Sequence, residues 1–163
     1  MKDMDADVIG ADGQPGLSPT GPLGMRFLYH FSRVIFGGWW LYSGTMPFID
    51  PAWQPLGQEQ AAIDFSLALI DSGLMACVKV AEIVLGILIL ANRAMPLAVI
   101  AIIPINFVIL YWNFVLDEGV VEYTFGALTI AFNVILAWPW RRHFWPLFAW
   151  RGEPDFSLAP KIP

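Results

Sequence analysis

The run Lys79-Val-Ala-Glu82-Ile-Val-Leu-Gly86-Ile-Leu-Ile-Leu-Ala91 closes an apolar stretch that begins near Phe65, and how it is read decides the fold. Two opposite charges three residues apart stand among Val, Ile, Leu, Ala and Gly. Residues 65–91 are somewhat longer than the roughly 20 residues a helix needs to cross a ~30 Å hydrocarbon core, so the first turns are expected to tilt or to lie at the outer interface. A helix of a soluble bundle would present a broad polar face, and this one offers only a narrow stripe. Working outward, residues 27–48, 95–116 and 123–140 have the same character. No succession of ten-residue alternating strands suggests a barrel. The expected fold is therefore all-α: an integral membrane four-helix bundle with spans at about 27–48, 65–91, 95–116 and 123–140.

Composition agrees. Of 163 residues, 57% are hydrophobic and 14% charged, against about a quarter charged in an ordinary soluble domain. Mean hydropathy is +0.59. A net charge of −5 without a basic cluster argues against a nucleic-acid partner. The single cysteine, Cys77, excludes an internal disulfide, a CxxC pair and a thiolate zinc site, and with only His30 and His143 no metal site is assigned. Residues 1–25 read as a flexible acidic Gly/Pro tail rather than a signal peptide, because they lack an apolar core segment. Residues 26–140 form the transmembrane domain, and 141–163 a cytoplasmic aromatic and basic tail. The stretch across this boundary, Trp138 to Trp145 with Trp140, Arg141 and Arg142, has the composition of a headgroup-level anchor; docking of a cytoplasmic partner is the less common use of such a belt.

The basic residues set the orientation. Lys2, Arg26 and Arg33 precede or open the first span, Arg93 joins the second to the third, and Arg141, Arg142, Arg151 and Lys161 follow the fourth. The other two connections carry Asp50, Glu59, Asp64, Asp117, Glu118 and Glu122 and no Lys or Arg. By the positive-inside rule the chain is expected to be a multi-pass protein with both termini cytoplasmic.

Candidate functional residues are the polar ones at lipid depth. At 100° per residue Asp71, Met75, Lys79, Glu82, Gly86 and Arg93 share one stripe; His30, Arg33, Gly37 and Gly44 share another. Asn106, Asn113 and Asp117 line the third span, and Glu122, Gly126, Thr129 and Asn133 the fourth. The glycines permit close backbone approach where lipid gives helices no hydrophobic drive to associate. Glu82 and Asn106 fall near the bilayer midplane, Lys79 about a turn further out, Arg33 and Asn133 in the inner third. A charge at the bilayer centre costs at least about 2.5–3.5 kcal/mol, so Lys79 and Glu82 should face inward and pair, with Arg33 as a second partner for Glu82. Arg33, Lys79, Glu82, Asn106 and Asn133 form the candidate cluster. It is read as functional, with a purely architectural ion pair as the competing reading, and no catalytic residue is assigned. Pro104 should kink the third span beside Asn106, and Cys77 lies away from the seam.

The stretch Arg33-Val-Ile-Phe-Gly37-Gly-Trp-Trp40-Leu-Tyr-Ser-Gly44 resembles the first helix of the DoxX family, and Glu82-Ile-Val-Leu-Gly86-Ile-Leu-Ile-Leu resembles its second. Arg93, Pro96 and Leu97 are similar to its short turn into the third. The sequence departs from the family pattern where Met46-Pro47 replaces a frequent Lys and where Trp112-Asn113 stands near a frequent His. The resemblance implies a four-helix inner-membrane protein serving as a small subunit of a membrane redox complex, such as thiosulfate:quinone oxidoreductase or a neighbour of quinol oxidases. It also implies a quinone as the ligand to look for, with Glu82 and Arg33 on a quinone oxygen and Trp40, Tyr111 and Trp112 against the ring. No haem, flavin or iron–sulfur motif is present, so no resident electron carrier is assigned. The alternatives are a proton- or solute-conducting transporter, for which a homodimer suits better than a single chain, and an assembly subunit without chemistry.

Overall fold

The computed structural model describes residues 23–148; the expectations for residues 1–22 and 149–163 lie outside them. All regular structure in this region is helical. Helix α1 runs Leu23–Ile49, so it begins inside the segment expected to be tail. A 3₁₀ turn at Pro51–Trp53 leads through a loop to α2, Gln60–Asp71. Then come α3 (Leu74–Leu90), α4 (Met95–Ala101) and α5 (Ile103–Tyr111), which ends in a π-helical turn at Trp112–Leu116. Helix α6 (Val120–Ala137) continues through a 3₁₀ turn, the short α7 (Arg141–Phe144) and a last 3₁₀ turn at Trp145–Phe148.

Two stretches, Met95–Leu116 and Val120–Phe148, are helices long and apolar enough to cross a membrane, and α2 with α3 makes a third only if a bent pair counts as one span. That bend corrects the sequence reading of residues 65–91 as one helix. The axes of α2 and α3 differ by 86°. Ser72 ends α2, and Gly73 follows at φ +77°, a left-handed conformation that stops a helix and that L side chains adopt only with strain. Asp71 is consequently exposed on α2 and does not continue the Lys79–Glu82 stripe. Helix α1 has the length, 27 residues, but Arg33, its glycines and its hydroxyl side chains leave it less apolar than the other spans.

The break in the third expected span falls at Ile102, two residues before Pro104, whose missing N–H cannot continue the α4 ladder. The other end of α3 is closed by a Schellman motif: Arg93 N–H donates to Leu88 O, Asn92 N–H to Ile89 O, and Asn92 takes φ +54°.

Helix α1 packs along α3 and also touches α6, while α6 lies against α4, α5 and the π turn. The α1–α3 contact is backbone to backbone. A Cβ on Gly86 would come within 2.7 Å of Leu41 N, and one on Gly44 within 2.8 Å of Lys79 O. Aromatic pairs join α1 to α6: Phe36 with Phe132 at 5.7 Å and Trp39 with Phe125 at 5.5 Å between centroids. The core of Phe36, Trp40, Leu85, Ile89, Ile102 and Leu136 sits between these helices. Outward faces are greasy: Phe107 is 70% exposed, and Val84, Ile87, Leu97 and Ile103 are exposed as well. Exposed apolar side chains of this size on α3, α4 and α5 suit acyl chains.

Candidate functional site

Lys79 lies one turn into α3, where Gly44 brings α1 close enough to bury it. Its ammonium donates to Glu82 Oε2 at 2.9 Å, to Glu82 Oε1 at 3.0 Å and to Ser43 Oγ of α1 at 3.1 Å. Both ions are buried, at 6% and 4% exposure. The i,i+3 spacing makes the pair, and the inter-helix contact supplies the third acceptor. Three donors of an ammonium are thus matched by three acceptors, which an isolated charge in an apolar interior requires.

Arg33 does not join them. Its guanidinium donates to the carbonyls of Ile89 and Leu90, the last turn of α3. Leu90 is eight residues along the helix from Glu82, about 12 Å at 1.5 Å per residue, which is beyond a guanidinium's reach from that level. The arginine instead neutralises the carbonyl end of α3, where a helix dipole is negative. Asn106 and Asn133 hydrogen-bond to neither ion; Asn106 Oδ1 and Asn133 Nδ2 are buried without a partner among the described residues.

The three aromatic residues expected against a ring do not share a wall. Trp40 is 2% exposed and packs edge-on to Phe36, Tyr111 is 47% exposed on the outside, and Trp112 reaches α2, where its Nε1 donates to Ser66 Oγ at 3.2 Å. Trp112 ends α5 in ordinary helical geometry, and the π turn that follows shifts the residues after it, Asp117 above all, from where 3.6 residues per turn would put them.

Two polar networks were not anticipated. At one end, Trp140 Nε1 donates to Tyr29 Oη at 3.1 Å and the Tyr29 hydroxyl donates to Asn92 Oδ1 at 2.6 Å, tying together α1, the α3–α4 turn and the end of α6. Asn immediately after an apolar helix is the usable signal there. At the other end, the buried Asp117 Oδ1 accepts from Gln58 N–H at 2.9 Å and Glu59 N–H at 3.0 Å, capping α2 from the end of the π turn. Gly57, at φ +96°, permits that approach, with Trp112 and Asp117 Oδ2 against the place a Cβ would occupy. Cys77 is exposed and unpaired.

Compared with family models, with curated proteins and with solved structures, the chain matches none.

Proposed function

We propose that this chain is a DoxX-like protein of the bacterial inner membrane, a small subunit of a membrane redox complex. In this reading α1, α3, α4 with α5, and α6 are four spans of one bundle. The ends bearing Arg33, Arg93, Arg141 and Arg142 are cytoplasmic. Helix α2, bent 86° from α3, lies along the outer interface. The observation that supports a functional interior is the buried Lys79–Glu82 ion pair, since ionisable groups kept at lipid depth are functional by default. Quinone contact narrows to Trp40 and Glu82, the proposed residues that remain on inner faces of α1 and α3.

An assembly subunit without chemistry is the second reading. It is favoured by the saturation of Lys79, whose acceptors are all within the protein, as in a pair that only fixes helix register. Purification in mild detergent, followed by mass spectrometry of the accompanying lipid, quinone and protein, separates the two. The redox reading expects an isoprenoid quinone or an oxidoreductase subunit in stoichiometric amount. Recovery of neither, with growth and quinol oxidation unchanged in Glu82→Gln, overturns it.

A further inference from the structure

Hollows on the outer surface differ in the charge at their mouths. A wide one, about 480 Å³, lies along α6 between Val120 and Ala131 and starts beside Glu118 and Glu122. A narrower one, about 190 Å³, runs between the start of α1 and the end of α6. Met25, Leu28, Val134, Ile135 and Trp138 line it, so its walls are apolar. It has room for a stretch of one acyl chain and for little else.

Arginines stand at the mouth of this second groove. The Arg141 guanidinium lies 5.1 Å from the centre of the Trp138 ring and donates to Trp138 O at 2.9 Å, which holds it against one wall. Arg26 follows Met25 of the opposite wall. Helices α1 and α6 run antiparallel, since Trp39 meets Phe125, Phe36 meets Phe132 and Tyr29 is bonded to Trp140. Continuing that register by one turn brings Arg26 level with α7, where Arg141 and Arg142 lie. All three arginines are exposed, and no carboxylate among the described residues pairs with any of them. An apolar slot topped by unneutralised guanidinium groups matches the two chemistries of a phospholipid in their order along the bilayer normal. A phosphodiester takes the planar N–H fork of an arginine, and a net negative headgroup brings no ammonium of its own into a cationic mouth.

We propose that the α1–α6 groove binds one anionic phospholipid, with an acyl chain against Leu28, Val134 and Trp138 and its phosphodiester between Arg26 and Arg141. The site presupposes the membrane placement proposed above and is independent of the redox assignment. A belt that merely lies among headgroups responds to total charge, whereas this groove responds to position. Arg93 separates the two cases. It carries the same charge at the same end of the bundle, but the α3–α4 turn that bears it contributes nothing to the groove lining.

The test uses the full chain in phosphatidylcholine vesicles carrying a trace of phosphatidylglycerol or phosphatidylcholine with a photoreactive acyl chain, and peptide mass spectrometry of the adducts. The phosphatidylglycerol probe should label residues 25–28 and 134–138 at least about fivefold more than the phosphatidylcholine probe, the factor one basic residue near the surface contributes to binding anionic lipid. Arg26→Gln and Arg141→Gln should each lower that labelling about fivefold, with helix content retained by circular dichroism, and Arg93→Gln should leave it unchanged. Equal labelling by the two probes, or the same loss in Arg93→Gln, overturns the site in favour of a general charge effect. Displacement of the probe by excess soluble glycerophosphoglycerol overturns the lipid in favour of a free phosphodiester. Failure of the unmutated chain to float with the vesicles would instead overturn the membrane placement.

Discussion

At the scale of single residues the account turns on complementary charge. Glu82→Gln leaves the Lys79 ammonium buried beside a neutral amide, and breaking one partner of a buried pair costs about 3–5 kcal/mol. The expected outcome is a large drop in thermal midpoint for Glu82→Gln, with Lys79→Met/Glu82→Leu close to wild type, as apolar replacements of buried pairs usually are. Equal losses in the single and double variants would show that the pair contributes no coupled energy. Tyr29→Phe removes a hydroxyl that both accepts from Trp140 and donates to Asn92, and should cost about 1–3 kcal/mol by stranding those two partners. Denaturant titration in detergent checks it. The Lys79–Glu82 pairing was legible because i,i+3 neighbours meet on any helix. The place of Arg33 was not, because it depends on the height at which a second helix ends, and a one-dimensional pattern carries no such height.

At the scale of elements, α1 and α3 are held by glycines facing backbone. Gly86→Val has nowhere to put its side chain, with Leu41 N and Gly37 O at 2.7 and 3.0 Å from the first added carbon. The two helices must separate, and overpacking of this kind costs about 1–3 kcal/mol or more. Crosslinking between cysteines placed at Leu41 and Leu85 should fall with it; unchanged crosslinking contradicts the close contact. Gly73→Ala meets open space, so its cost, about 1–2 kcal/mol, is that of a left-handed residue with a side chain. The sequence marked Gly37, Gly44, Gly86 and Gly126 for close backbone approach without saying which helices each would join; the first three meet at the α1–α3 contact, whereas Gly126 lies against the Phe114 side chain. The turn between α2 and α3 was also written, as Asp71-Ser72-Gly73, but hydropathy averaged over residues 65–91 concealed it.

At the scale of the whole molecule, the bundle has two dissimilar ends. Described basic residues other than Lys79 gather with Arg93, Arg141 and Arg142, and Arg141 lies over the Trp138 ring at 5.1 Å. Glu59, Glu118 and Glu122 lie at the Asp117 end. Single cysteines at Asn92 and Glu118, in a chain with Cys77 replaced by Ala, should react with an impermeant maleimide from opposite sides of the bilayer; reaction from one side alone contradicts the proposed topology. The charge asymmetry was readable in the sequence itself, whereas the separation of Trp40, Tyr111 and Trp112 depended on which helices stand beside each, which a one-dimensional pattern does not carry. The claim beneath all of this is that the two buried ions bind one another inside the protein. Solid-state NMR of the chain in lipid bilayers, with ¹⁵N on the Lys79 ammonium and ¹³C on the Glu82 carboxyl, measures it directly. A strong dipolar coupling, matching an N–C separation under about 4 Å, is the result this account predicts, and a coupling too weak to detect would contradict it.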